Sequence, residues 1–135
     1  MDNRTINEHY AEIGMELIQS EPSLEDIKNS EITIMFLSSD MKKMEKGKLV
    51  LGQCEKIADK YKWGIPCDIT ITVFEPNIVG FTEEQLRILI FHELLHVDVT
   101  YSKNETEAYG TKPHDLEDFK QIIDRFGTDW NEVRY

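Results

Sequence analysis

The apolar residues of this chain recur with two different periods. Over residues 5–19 they fall at steps of three and four, which is the spacing of an amphipathic helix. Over residues 68–74 they alternate with polar residues, which is the spacing of a half-buried strand. Residues 31–37 and 48–54 are also rich in apolar side chains, so the pattern predicts one N-terminal helix followed by three strands.

Two further helices are predicted in the C-terminal part. The first begins after Thr82, which can cap it and which forms a capping box with the glutamine three residues on. Residues 86–97 then contain neither Gly nor Pro and are apolar on nearly every side, so this helix is expected to be buried. The second helix is predicted over residues 114–126, and the polar residues 102–113 are expected to link the two.

The predicted order of elements is therefore α-β-β-β-α-α. This order is typical of the α+β class, with a small mixed or antiparallel sheet packed on the buried helix. A chain of 135 residues is long enough to bury one hydrophobic core. We expect a single domain over residues 1–135, with its core at about residues 31–131, and we expect Trp130 to fold back onto that core.

The chain carries a formal net charge of −11 at neutral pH. Binding to nucleic acid or to an anionic membrane depends on Lys and Arg, so this charge argues against both kinds of partner. Residues 42–62 differ from the rest, with seven basic and three acidic residues. We interpret them as a solvated face that offsets the acidic ends, and the alternative is a contact surface for an acidic partner.

The sequence contains few features that indicate cellular location or redox chemistry. No stretch of the chain reaches 18 consecutive apolar residues, and its first residues lack the apolar segment of a signal peptide, so a cytoplasmic location is expected. Cys54 and Cys67 are too far apart in sequence to form a C-x-x-C pair. They are expected to be reduced thiols in or near strands.

Residues 92–96 read His-Glu-Leu-Leu-His and match the H-E-x-x-H pattern of zinc metallopeptidases. On a helix, His92 and His96 lie on one face about one turn apart, so both imidazoles can bind one metal ion. Glu93 is rotated away from that face and can act as a general base on the attacking water. The alternative is a pair of core histidines held by hydrogen bonds, since burial without partners is costly for such residues.

A catalytic zinc site needs a third protein ligand and one position for water. His114 follows His96 by 18 residues at the predicted start of the last helix, and we expect it to be this ligand. Glu117, 20 residues after His96, is the main alternative. Asp115 and Asp118 are expected either to orient a ligand histidine or to lie in solvent at the helix start, where the helix dipole favours carboxylates.

Several of these segments together resemble one family, the phage metallopeptidases, which are small proteins of phages and prophages with a minimal zincin fold. The resemblance covers about residues 31–131. It rests on residues 68–74, 82–87, 91–97, 113–119, Phe126–Gly127 and Asp129–Trp130.

This resemblance implies a zinc site with a defined set of residues. His92, His96 and His114 would bind one Zn²⁺ ion per chain, Glu93 would be catalytic, and the location would be the host cytoplasm. The chain is also similar, more distantly, to the SprT-like proteases, which act on proteins attached to DNA.

The main functional prediction is a zinc-dependent peptidase that hydrolyses peptide or protein substrates. The substrate is expected to lie extended along an exposed strand edge. Tyr101 or Tyr109 is a candidate hydrogen-bond donor to the transition state. Two rival hypotheses are a non-catalytic, zinc-stabilised module of phage or prophage origin that binds a protein, and a DNA-associated protein that uses the lysines of residues 42–62.

Overall fold

The computed structural model describes residues 3–101, 107–112, 119–127 and 129–131. Within them the helices are α1 (Glu8–Ser20), α2 (Glu25–Lys28), α3 (Glu83–Leu95) and α4 (Lys120–Phe126). The strands in the same residues are β1 (Arg4–Ile6), β2 (Ile34–Ser39), β3 (Met44–Glu45), β4 (Lys48–Leu49), β5 (Gly52–Lys56), β6 (Ile69–Phe74), β7 (Val97–Tyr101) and β8 (Glu107–Thr111). Helices and strands together make an α+β fold, as the sequence predicts.

Strand β6 lies inside a four-stranded sheet with the order β1-β2-β6-β5. It pairs in parallel with β2 and antiparallel with β5, while β1 pairs antiparallel with β2. All six residues of β6 are buried, so the strand is covered on both faces and not half-buried as its alternation predicts. Its polar positions Thr70 and Thr72 are buried as well, and five of its six side chains are β-branched, which suits a strand. Within the described residues β1 and β5 are therefore the two edges of this sheet, and two antiparallel ribbons, β3–β4 and β7–β8, lie outside it.

Helix α1 packs closely on α3 and on β2. Gly14 permits this approach, because a Cβ atom at this position would lie 2.2 Å from Cζ of the buried Phe36 ring. The helix begins where Asn7 accepts a hydrogen bond from the backbone N–H of Tyr10. The core between α1, α3 and the sheet is built mainly from fully buried aliphatic and aromatic side chains, including Leu17, Phe36, Ile69, Ile71, Leu89, Ile90, Phe91 and Leu94.

Helix α3 confirms two predictions. Thr82 Oγ1 accepts from the backbone N–H of Gln85, whose side chain accepts from the backbone N–H of Thr82, so the capping box is present. Eight of the thirteen residues of the helix are buried. It ends at Leu95, two residues earlier than the pattern predicts. No helix in the described part of the chain has the length and apolar character needed to cross a membrane.

The N-terminal elements are confirmed with small shifts. The helix predicted over residues 5–19 is α1, which starts at Glu8 because the residues before it pair with β2. The strands predicted over residues 31–37 and 68–74 are β2 and β6.

The single strand predicted over residues 48–54 is wrong. The chain forms β4, breaks, and then forms β5. Asn77 stabilises the break, because its side-chain amide donates to the carbonyls of Lys43 at 2.9 Å and of Val50 at 2.7 Å. Asn77 comes from a turn after β6, so this long-range contact leaves no trace in the local pattern.

The described part of the polar link predicted over residues 102–113 contains a strand that the pattern does not predict, β8 (Glu107–Thr111), while residues 102–106 and 113 lie outside the described residues. Strand β7 follows α3 after one residue and pairs antiparallel with β8. Val97 and Val99 are buried, and they alternate with Asp98 and Thr100. This period of two belongs to a strand, but the apolar helix directly before it conceals the change of period.

The helix predicted over residues 114–126 does not pass through Phe119, whose backbone is extended with φ −67° and ψ 135°. Helix α4 begins one residue later, and residues 113–118 lie outside the described residues. The Phe119 ring packs against the rings of His92 and His96, a contact that the prediction of a continuous helix over these residues does not include. The order within the described residues is β-α-α-β-β-β-β-β-α-β-β-α instead of α-β-β-β-α-α.

Substitution of Gly14 tests the packing of α1. Gly14→Ala is expected to lower the free energy of unfolding by about 1–3 kcal/mol, because the added methyl group must displace a buried aromatic ring. Gly64→Ala is the matched control, since a Cβ atom there meets nothing within 4 Å. Urea unfolding followed by circular dichroism measures both. A Gly14→Ala variant as stable as the wild type would contradict the close approach of α1 to β2.

Candidate metal centre

His92, Glu93 and His96 meet at the C-terminal end of α3. In the described residues they form a metal-capable cluster, in which one ligand atom from each side chain lies within 4.8 Å of the other two. The centroids of the two imidazole rings are 5.2 Å apart. His96 is the C-cap of α3 and keeps helical backbone angles, so the spacing of four residues still brings both imidazoles to one face.

The hairpin after α3 orients His96. Nδ1 of His96 lies 2.6 Å from the carbonyl oxygen of Lys112, and the backbone N–H of Lys112 donates to the carbonyl of His96 at 2.7 Å. A carbonyl oxygen only accepts, so Nδ1 carries the proton of the first hydrogen bond. The lone pair of Nε2 is then left for a metal ion, as in other metal sites where a second hydrogen bond fixes the ligand histidine.

Two aromatic side chains pack on the histidines. The centroid of the Phe119 ring lies 5.5 Å from that of His92 and 5.0 Å from that of His96. The Trp130 ring lies 5.9 Å from His92, and the Gln85 side chain donates to the Trp130 carbonyl at 3.1 Å. Both aromatic residues are buried, so they exclude water from part of the cluster and restrict rotation of the imidazoles. The burial of Trp130 is a confirmed prediction, whereas the contact of Phe119 is not readable from periodicity.

Glu93 lies against the edge strand β5 and is only 4% exposed. A Cβ atom at Gly52 would lie 3.1 Å from Cγ and 3.3 Å from Cδ of Glu93. A side chain at position 52 would therefore press on the carboxylate and move it. The sequence signal for this contact is a glycine within a predicted strand, which often marks the close approach of another group.

The cysteines take no part in the cluster. Both are free thiols, Cys54 in β5 and Cys67 two residues before β6, as predicted. Burial, together with the negative charges of Glu93 and Glu55, raises the pKa of the Cys54 thiol well above its usual range. The thiolate is the form that binds zinc, so a neutral Cys54 is a poor ligand. Among the described residues the metal-capable cluster contains neither cysteine.

The other predicted site residues fall into two groups. His114, Asp115, Glu117 and Asp118 lie outside the described residues. Tyr101 is the last residue of β7, so it is not part of a continued α3.

Tyr109 lies on β8 and has a defined set of partners. Its hydroxyl donates to Oδ1 of Asp68 at 3.0 Å and contacts the ammonium group of Lys62. A role as a donor to the transition state would require the hydroxyl to leave these partners.

The donors present fit a zinc ion. Imidazole nitrogen and carboxylate oxygen are both zinc ligands, and a catalytic site combines three protein ligands with one position for water. His92 and His96 are half-buried, which leaves them accessible to an ion, and the Lys112 carbonyl holds His96 in the tautomer that a metal requires. Glu93 is the buried member of the cluster and lies beside the pair.

The cluster is a helical H-E-x-x-H site, which is the pattern of metal-dependent peptidases. The chain belongs to the family Putative phage metallopeptidase, whose model matches residues 3–134. The resemblance to the phage metallopeptidases is thereby confirmed, while the more distant similarity to the SprT-like proteases stays a prediction. No curated protein and no solved structure shows a significant match to the chain.

Removal of one imidazole tests the metal centre. After equilibration with Zn²⁺ and gel filtration, the wild-type protein is expected to retain about one ion per chain, and His96→Ala is expected to lose most of it because one of few ligands is gone. His9→Ala is the matched control. His9 is an exposed histidine of α1 that pairs with Glu83, outside the cluster. Elemental analysis measures the metal, and unchanged metal content in His96→Ala would exclude this residue as a ligand.

Proposed function

We propose that this protein is a zinc-dependent peptidase with a zincin-like single domain, in which His92, His96 and His114 hold one Zn²⁺ ion and Glu93 is the general base. The observation that carries the proposal is the cluster at the end of α3, where a buried carboxylate lies beside two imidazoles. A purely structural zinc site usually has four protein ligands and has no use for such a base. This argues against the rival hypothesis of a non-catalytic binding module.

Glu93 takes a proton from the attacking water and delivers it to the leaving amine. Zinc, when bound, supplies a Lewis acid that polarises the scissile carbonyl and lowers the pKa of water to about 7. The lack of a side chain at position 52 supports the role of the base, because a Cβ atom there would press on the Glu93 side chain and displace its carboxylate from beside the imidazoles.

The substrate is proposed to be a peptide or an extended segment of a protein that lies along β5. This strand is an edge of the four-stranded sheet as far as the described residues show, and it is the edge that touches Glu93. An exposed edge presents backbone N–H and C=O groups that can pair with an added strand. Such pairing recognises the backbone of the substrate and not its side chains. It therefore suits an enzyme that cleaves peptide bonds in an extended segment.

The third ligand is proposed to come from residues 113–118. The described residues on either side of this segment both contact a histidine of the cluster, Lys112 through its carbonyl and Phe119 through its ring. Within the segment His114 is the preferred ligand, Glu117 is the alternative, and Asp115 and Asp118 are candidates to orient the ligand.

Substitution of the base tests the mechanism. Glu93→Gln is expected to keep about one zinc ion per chain and to lower peptide hydrolysis by a factor of at least about 100, since general-base catalysis contributes about 10²–10⁴-fold. Cleavage of a peptide library, followed by mass spectrometry, measures the activity. Glu84→Gln is the matched control, because Glu84 is an exposed glutamate of the same helix.

The outcomes of that experiment separate the rival hypotheses. Full activity in Glu93→Gln would reject Glu93 as the base. A wild-type protein that binds zinc and cleaves nothing in the library would favour the non-catalytic module.

A pair of substitutions identifies the third ligand. His114→Ala is expected to weaken zinc binding strongly, while Glu117→Ala is expected to weaken it by less than about tenfold, as for a residue that does not touch the ion. Competition with a chromophoric chelator measures both affinities. The reverse ranking would assign the ligand to Glu117.

A further inference from the structure

Tyr109 occupies an unusual position on the hairpin β7–β8. It is half-buried, and its ring lies between two lysines, with Nζ of Lys56 at 4.9 Å and Nζ of Lys62 at 5.0 Å from the ring centroid. Its hydroxyl donates to Oδ1 of Asp68 at 3.0 Å. These contacts join the hairpin to the end of β5 and to the segment between β5 and β6.

Asp68 is itself held firmly. Oδ2 of Asp68 accepts from the backbone N–H of Thr33 at 2.9 Å and from its hydroxyl at 3.1 Å, while Oδ1 accepts from Lys62 at 2.9 Å. Burial opposes ionisation of this carboxyl group, but these hydrogen bonds outweigh it and lower its pKa to about 2. Asp68 is therefore a charged, fixed acceptor at neutral pH, which makes it a rigid anchor for the Tyr109 hydroxyl.

The hairpin connects this anchor to the metal centre. Tyr109 pairs with Val99, and the ladder continues to the pair of Thr111 with Val97. Lys112 comes next, and it exchanges two hydrogen bonds with His96, one from backbone to backbone and one to Nδ1. Tyr109 and Lys112 are three residues apart, which is about 10 Å along an extended strand. A displacement of β8 at Tyr109 would therefore also move the Lys112 carbonyl.

We infer that Tyr109 and Asp68 form a latch that positions the Lys112 carbonyl and so holds His96 in the tautomer with its proton on Nδ1. Tyr109 is in this view a positioning residue that acts through the hairpin and not a donor to the transition state. The inference rests on the part of the proposed function that makes His96 a metal ligand. On this inference, Asp68 in the connection between β5 and β6 supports the site. This residue is distant in sequence from the H-E-x-x-H helix.

The test compares two tyrosine-to-phenylalanine substitutions. Tyr109→Phe removes the hydroxyl of the latch, while Tyr10→Phe removes a hydroxyl that donates to Glu75 at 2.9 Å, away from the hairpin. Each variant loses one tyrosine–carboxylate hydrogen bond, and Tyr109→Phe also loses the contact of its hydroxyl with Lys62, which belongs to the same attachment of the hairpin. The first readout is the tautomer of His96 in the metal-free protein, measured from its ring ¹⁵N chemical shifts. The second is zinc affinity, measured by competition with a chelator.

Tyr109→Phe is expected to reduce the fraction of His96 side chains that carry their proton on Nδ1. It is also expected to weaken zinc binding by up to about tenfold, which is at the low end of what is lost when a residue that only orients a ligand is changed. Tyr10→Phe is expected to change neither readout. Wild-type tautomer and affinity in Tyr109→Phe would overturn the latch, and so would equal changes in both variants.

Asp68→Ala tests the other half of the latch. If Tyr109 and Asp68 act as one unit, Asp68→Ala is expected to shift the His96 tautomer in the same direction as Tyr109→Phe. The double variant is then expected to bind zinc no more weakly than the more affected single variant. Additive losses in the double variant would show that the two residues act independently. Absence of zinc binding in the wild type would instead refute the proposed function, and the tautomer of the metal-free protein would still decide the latch.

Discussion

Burial of a carboxylate in an apolar helix costs free energy unless neighbouring groups replace the lost water. Glu93 is 4% exposed and stands among the buried apolar residues of α3, with a half-buried imidazole next to it and another three residues on. The rest of the site is arranged around this constraint. A cation held by the two histidines would lie close to the carboxylate and favour its charged form. The helix thus combines a largely buried apolar surface with three polar residues grouped at its C-terminal end.

Three separate parts of the chain support this one helix end. Strand β5 presents Gly52, where the lack of a side chain leaves room for Glu93. The hairpin β7–β8 presents the Lys112 carbonyl to His96, and Phe119 places its ring against both imidazoles. The Lys112 carbonyl restricts the tautomer of His96 and the Phe119 ring restricts rotation of the imidazoles, while the absence of a side chain at position 52 leaves the Glu93 carboxylate where it is. If these side chains bind an ion, this restriction would lower the entropy they lose on binding.

The predictions that the structure confirms concern features set by residues close together in the sequence. The capping box at Thr82, the burial of α3, strand β6 and the clustering of His92 with His96 depend on residues a few positions apart. The break before β5 depends on Asn77, and the extended backbone at Phe119 goes with packing on the histidines. Those causes are distant in sequence, so no periodicity within the segment could reveal them. The hairpin β7–β8 escapes prediction for a different reason, because its alternation begins directly after an apolar helix.

The sheet topology also restricts which strand edge could bind an extended substrate next to Glu93. In the described residues the sheet has two edges, β1 and β5, and the order β1-β2-β6-β5 separates them by two strands. Neighbouring strands are about 4.8 Å apart, so β1 lies about 14 Å from β5. Glu93 touches β5 at Gly52, and a peptide paired with β1 would be too far from this carboxylate for proton transfer. If the protein cleaves an extended peptide, β5 is therefore the edge that can present the scissile bond to the base.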